Sequence, residues 1–222
     1  MKKLQLSILL VITMLVTACA NVPVVKLNSS TSASLNGKSL VIVNHKAGPF
    51  VAFTAGKAGF GLLGVSAMYS AGRAQVLKYG IEDPANSIRT SLVDGLNAEY
   101  NLKVIRTEIK ALKNKSVSSV LSAYAGKADY ILDYRTFEMG YVYYPTKWRY
   151  YRVRYLGKFR LFDSKTQKVI AAGSCITLQG DDANPPTKQL LLANNAGLLK
   201  KYLTQASTAC TKSLSKEILG LK

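Results

Sequence analysis

YYRVRYLGKFRLF, residues 150–162, alternates apolar and basic side chains along its whole length. Tyr151, Val153, Tyr155, Phe159 and Leu161 fall on one side, and Arg152, Arg154, Lys158 and Arg160 on the other. Successive side chains of a strand point to opposite faces, so the pattern is that of a half-buried strand with a basic outer face. DSKTQ (163–167) is turn chemistry, and VIAAGSCIT (169–177) returns as the second arm of a hairpin. Upstream, ADYILDYRTF (128–137) alternates in the same way, with Tyr130, Leu132 and Tyr134 opposite Ile131, Asp133 and Arg135. KSLVIVNH (38–45) is a short β-branched run of the kind found in buried strands, and residues 102–105 make a further short strand.

Helices separate these strands. Asp83-Pro84 opens one, with Asp83 as N-cap and Pro84 at the first helical position. Ile88, Leu92, Leu96 and Tyr100 recur every fourth residue as its apolar stripe, and Asn101 suits the C-terminal cap. Residues 116–125 read as a short helix ended by Gly126. From Thr187 to about Leu219 the pattern is helical, with a break expected near Gly197. Leu199, Leu203, Ala206, Cys210 and Leu214 form its stripe. The order strand, helix, strand, helix, strand, hairpin, helix predicts an α+β fold: a mixed sheet of about five strands with helices packed on it and a long C-terminal helix.

The remaining composition bears on address and partners. The chain has 222 residues, 30 Lys and Arg against 12 Asp and Glu, one His and three Cys, and is 48% hydrophobic. That hydrophobic fraction excludes disorder and collagen-like chains, and the length suits one domain with a sizeable core. A formal charge of +18 points to anionic partners: nucleic acid, phospholipid headgroups or acidic glycans. Met1-Lys2-Lys3 is followed by an apolar run to Val16, too short to span a bilayer, which needs about 20 apolar residues. Val16, Thr17, Ala18 and Cys19 match in order the four positions of the bacterial lipobox, so the N-terminus resembles that of a bacterial lipoprotein. The resemblance implies a signal peptide over residues 1–18, removed on maturation, and acyl chains such as palmitate on Cys19. It also implies a lasting membrane anchor. Ala20 replaces the Asp that favours inner-membrane retention, so the resemblance points to the outer membrane with the domain facing the periplasm. Cleavage would remove Lys2 and Lys3 and no acid, leaving the chain strongly basic.

Residues 19–37 are polar, Ser-rich and aperiodic, and read as the lipidated Cys followed by a flexible tether with a reach of about 23 Å. Residues 38–222 then form a single periplasmic domain. With Cys19 given to lipid, Cys175 and Cys210 are an even pair in an oxidising compartment. Their disulfide would pin the C-terminal helix to the hairpin strand and contribute roughly 3–4 kcal/mol; two free buried thiols are the alternative. Residues 49–72 are Gly/Ala-rich and apolar, with Lys57 as the only charge. This segment is either a buried glycine-rich helix or apolar hairpin, or a surface that touches a bilayer or a second copy.

No catalytic constellation stands out. His45 is the only histidine, at a strand end, and metal or triad chemistry would hang on it alone. Asp129, Asp133 and Glu138 cluster on one strand, where Asp133 with Arg135 suggests a cross-strand ion-pair site. Asp181-Asp182 falls short of a calcium loop, and there is no phosphate-binding glycine motif. The expectation is a non-enzymatic protein without metal or cofactor. What remains is the segment 141–160, where aromatic residues interleave with Lys147, Trp148, Arg149, Arg152, Arg154, Lys158 and Arg160 and no acid intervenes. Arg forks match phosphates and carboxylates, and Tyr and Trp stack or sit at interfaces. The alternative is that these cations are only the solvated face of the strand. In an envelope protein this surface suits an anionic glycan or lipid, or an envelope protein complex, rather than nucleic acid. The mature chain also resembles a group of uncharacterised proteobacterial envelope lipoproteins. The carrying features are Glu82-Asp83-Pro84-Ala85, the Tyr143-Tyr144-Pro145-Thr146-Lys147-Trp148 segment, Tyr151-Arg152-Val153 and the late cysteine pair. That resemblance carries no catalytic residue to transfer. In its coarse element order the chain is also similar to small periplasmic lipoprotein domains that serve envelope assembly complexes, and the expectation is a binding or assembly role. The rival readings are a membrane-inserting or oligomerising protein acting through residues 49–72, and an enzyme acting on envelope glycans.

Overall fold

The structure is a computed structural model that describes residues 23–221; the signal segment and Cys19 lie outside the described residues. A six-stranded mixed sheet carries the fold. Its strands are β1 (Ser39–Ile42), β2 (Phe50–Phe53), β3 (Lys103–Ile105), β4 (Tyr130–Tyr144), β5 (Lys147–Asp163) and β6 (Lys168–Gln179). The order is β3-β1-β4-β5-β6, with β2 also beside β4. The β1, β2 and β3 pairings are parallel, while β4, β5 and β6 form an antiparallel meander. The sixth strand is the one sequence reading did not separate: β2 comes from the apolar segment 49–72.

β1 and β2 share one edge of β4. β1 pairs with Tyr130–Leu132 and β2 with Met139–Val142, so residues 133–138 of β4 face no strand on that side. The chain crosses this gap as a loop, held by Val43 N–H to Leu132 O at 2.9 Å and Met139 N–H to Pro49 O at 3.0 Å.

The helices are α1 (Ser29–Ala33), α2 (Ala55–Ala58), α3 (Gly61–Tyr79), α4 (Ala85–Tyr100), α5 (Val117–Tyr124) and α6 (Lys188–Ser213), followed by a π turn at Leu214–Ile218. α4 begins one residue later than expected. Pro84 already has helical angles (φ −55°, ψ −21°) and occupies the cap position. Asp83 keeps its capping function, since Oδ1 accepts the Ala85 N–H at 2.9 Å. Asn101 ends α4 in the left-handed region at φ 48°, as an Asn C-cap does. α6 is interrupted at Ala193–Ala196, just before Gly197, where Asn194 and Asn195 take positive φ at small steric cost.

The main core lies between the inner sheet face, α4 and α6. Tyr134, Tyr155, Phe159 and Leu161 of the sheet meet Ile88, Leu92 and Leu96 of α4 and Leu199, Leu203 and Ala206 of α6. Cys175 of β6 and Cys210 of α6 form a disulfide with Cα atoms 5.4 Å apart, so the helix is stapled to the hairpin. A second cluster fills the space under α5, where Val120 and Tyr124 cover Val41, Val43, Ile131 and Phe162.

Two expectations need correction. The described part of the supposed tether is not free chain. Val25 bridges Ala172 on the outer edge of β6, and the Leu27 N–H donates to Ile218 O at 2.8 Å. Asn28 then caps α1, and Leu35 is fully buried in the main core. The Ser-rich composition concealed two anchoring apolar residues and a cap. Second, the segment 49–72 is a strand followed by two helices, continuing to Tyr79. Gly64, Met68 and Gly72, one residue per turn, form the buried side of α3, with Gly64 against Lys57 of α2 and Gly72 against Phe50 of β2, while Phe60, Leu62 (89% exposed), Leu63 (80%), Val65, Tyr69 and Leu77 face outward. Among the described residues no helix is long and apolar enough to cross a membrane.

The α3–β2 seat makes a direct prediction. A Cβ on Gly72 would lie 1.9 Å from the Phe50 carbonyl oxygen, a backbone atom that cannot swing aside. Gly72→Ala should therefore lift α3 from β2 and cost about 1–3 kcal/mol, read as a lower urea midpoint. Gly56→Ala, whose Cβ meets nothing within 4 Å, is the control.

Candidate functional site

The outer sheet face is half covered. α5 shields the end built from β1, the start of β4 and the end of β5. Among the described residues no helix covers the other end, where β4 passes Phe137, β5 carries Arg152, Arg154, Leu156 and Lys158, and β6 presents Ile176 (61% exposed) and Leu178. Strand register sets these side chains in rows: Arg154 lies opposite Gly140 on β4 and Leu178 on β6, and Lys158 opposite Arg135 and Ser174. The result is an open, mixed basic and apolar surface.

The cations of this surface are held in different ways. Arg154 makes an exposed ion pair with Glu138 at 3.2 Å. Arg152 stacks over the Tyr144 ring at 5.2 Å, and its Nε is buried without a hydrogen-bond partner. Lys158 lies over the Phe137 ring at 4.2 Å. Burial, then the nearby Arg135 and Arg160 charges, hold its ammonium below the usual lysine range. The Tyr144 hydroxyl donates to Asp182 at 2.6 Å, and burial with that bond pushes its pKa up to about 12.

The β4–β5 turn extends the surface. Pro145, Thr146, Lys147, Trp148 and Arg149 are all exposed at its tip. Trp148 is 68% exposed, yet its indole N–H donates to the Pro145 carbonyl at 2.7 Å, which fixes an aromatic plate between two cations.

Arg160 departs from the sequence reading. It lies at the covered end, where its Nε donates to Asp133 Oδ2 at 2.8 Å and a guanidinium nitrogen donates to Lys115 O at 3.0 Å. Asp133 is fully buried and accepts on its other oxygen from His45 Nε2 at 2.5 Å. Burial alone would raise the Asp133 carboxyl; the His45 hydrogen bond and the Arg160 charge outweigh it and hold the carboxyl below the usual carboxylate range. Arg160 is thus a structural partner of Asp133, not a surface cation. Asp133 pairs with Arg160 and not with Arg135, because Arg160 stands directly opposite it on β5 and takes its carboxylate. His45 is 9% exposed, and its Nδ1 has no hydrogen-bond partner among the described residues, so no hydroxyl or thiol is held against it.

Arg152, Arg154, Lys158 and the Lys147-Trp148-Arg149 tip thus belong to one hairpin, and Arg160 belongs to a buried network. Cys175 and Cys210 form the staple, and Cys19 is outside the described residues.

No family model matches the chain. No curated protein matches it either. Solved structures similar to it include a Xanthomonas campestris protein described under the family model DUF330, with 14% identity, a TM-score of 0.40, and 86% of this chain and 88% of that chain covered. A PelC dodecamer from Paraburkholderia phytofirmans has 14% identity and a TM-score of 0.33, covering 82% of this chain and 89% of that one. A lipoprotein from Neisseria meningitidis has 16% identity and a TM-score of 0.26, covering 75% and 96% respectively.

Proposed function

We propose that the chain is a lipid-anchored envelope protein that binds an anionic partner through the uncovered face and tip of the β4–β5 hairpin, as a binding or assembly subunit and not as an enzyme. The observation that carries the reading is the hairpin itself. Lys147 and Arg149 flank an exposed tryptophan at its tip, Arg152 and Arg154 follow on its uncovered face, and Glu138 makes the one ion pair to these four cations among the described residues.

The position of the N-terminus favours the membrane of the anchor as that partner. Val25 is fixed to Ala172 on β6, so a lipid on Cys19 would have only the five residues 20–24, a span of about 20 Å, between it and that fixed point. A leash that short keeps the β6 edge, with exposed Val24, Ile176 and Leu178, close to the headgroups. The adjacent arginines then meet anionic phosphates.

Each cation near an anionic surface contributes ~1 kcal/mol. The combined variant Lys147→Gln, Arg149→Gln, Arg152→Gln, Arg154→Gln should therefore lose roughly 100- to 1000-fold in affinity for phosphatidylglycerol vesicles, with its urea midpoint preserved. Unchanged vesicle binding by the folded variant would sink the reading.

The exposed apolar side of α3 supports a second reading, contact with a bilayer or a further copy through Phe60, Leu62 and Leu63. A Leu62→Ser, Leu63→Ser variant that alters membrane or self-association while the hairpin variant does not would favour it.

A further inference from the structure

The gap between β1 and β2 encloses a cavity of about 100 Å3. Its walls come from the crossing loop (His45, Lys46), the start of α4 (Asp83, Asn86, Arg89) and the unpaired stretch of β4 (Arg135, Thr136). These elements are distant in sequence and meet only because β1 and β2 splay apart along one edge of β4.

The charges around the cavity do not balance. Lys46, Arg89 and Arg135 are three cations on the wall, and Lys115 lies near enough to feel both Arg135 and Asp83. The one wall carboxylate, Asp83, is already committed. It accepts from the Gly48 N–H at 2.7 Å, from the Ala85 N–H at 2.9 Å, and from the Thr136 hydroxyl. Arg89 donates to Asn86 Oδ1 at 2.5 Å and only distantly to Val43 O, at 3.5 Å.

Arg135 is the informative member. It is half-buried, and among the described residues it makes no hydrogen bond and no ion pair. Burial, and then the Arg160 charge, hold its guanidinium below the ordinary range, with Asp133 opposing. A guanidinium taken partly out of water with five unspent donors is costly unless something accepts from it. Asp133 cannot serve Arg135, since it is already paired with His45 Nε2 and with Arg160.

We propose that this cavity binds a phosphate-type oxyanion, held by Arg135 and Arg89 with Lys46 at the mouth. The volume suits a single phosphoryl group and excludes a nucleotide. Two guanidinium forks and an ammonium match its several oxygens, and the planar fork accounts for arginine rather than lysine at the inner positions. The phosphoryl group is either free phosphate or the headgroup of a phosphomonoester lipid.

The test uses the folded chain carrying the four hairpin substitutions, so that the vesicle surface proposed above does not contribute. Inorganic phosphate, compared with sodium chloride at equal ionic strength, should raise Tm and give a calorimetric isotherm. Phosphatidic acid vesicles form the second arm. Arg135→Gln should abolish the effect in whichever arm shows it, and should leave the phosphate-free Tm equal or higher, because it removes an unsatisfied buried cation. A merely structural arginine would lower it. Lys46→Gln, at an exposed position that leaves folding intact, should weaken binding about tenfold. An effect confined to phosphate identifies the free anion, and one confined to vesicles identifies the lipid headgroup. No effect in either arm, or an effect that survives Arg135→Gln, overturns the proposal.

Discussion

Asp133→Ala should be among the most damaging single substitutions in the chain, at about 3–5 kcal/mol. The carboxylate is buried and is the shared acceptor of His45 and Arg160, so its removal strands a guanidinium and an imidazole at once. Asp133→Asn should fall short of full rescue, because the amide keeps the shape but not the charge that offsets Arg160. Urea unfolding at neutral pH reads the loss. The pH dependence has a definite sign. The folded carboxyl titrates below its ordinary value of about 3.9, so its contribution is complete above that value and disappears as pH falls through the lower folded one. Wild type and Asp133→Asn should therefore converge in stability in acid and diverge above about pH 4. Equal urea midpoints for the two at neutral pH would refute the network. Replacing His45, Asp133 and Arg160 together with apolar residues of similar volume should cost far less than losing Asp133 alone, since the penalty is for unpaired buried charge and not for the absence of an ion pair.

The same three residues show where sequence reasoning stops. Two-residue alternation placed Arg160 on the outer face of its strand, correctly. It could not show that α5 roofs that end of the face while the other end stays open, because coverage depends on which helix crosses where. Asp133 and His45 are 88 residues apart, and nothing in either neighbourhood marks the pairing. The strands whose signal is local were legible: Tyr151, Val153, Tyr155, Phe159 and Leu161 are all buried as the alternation requires. β2 was not legible, because four residues between Pro49 and a glycine-rich run carry no period of their own; their strand conformation is imposed by the partner Met139–Val142. Ser-rich composition likewise suggested a free tether, whereas Val25 and Leu27 dock on backbone groups of β6 and the C-terminal turn. The anion cavity has no linear signature at all. Lys46, Arg89 and Arg135 become neighbours only through the splay of β1 and β2.

The disulfide could be anticipated because two local patterns converged on it: Cys210 lay on the helix stripe and Cys175 on a returning strand. Its removal should cost about 3–4 kcal/mol by releasing the unfolded chain between β6 and α6, and should lower Tm by roughly 10 °C. The native docking of α6 survives, since Leu199, Leu203, Ala206 and Leu214 remain fully buried beside the cysteines and need no cross-link to stay there. The Cys175→Ala, Cys210→Ala double variant should therefore keep native near-ultraviolet circular dichroism while its urea midpoint falls. Its m-value should rise, because the unfolded state without the closed loop exposes more surface. Reductant should shift the wild-type midpoint by a similar amount and leave the double variant unmoved. A wild-type midpoint that does not respond to reductant under unfolding conditions would show that the two sulfurs contribute only as buried apolar groups, and that α6 is held by packing alone.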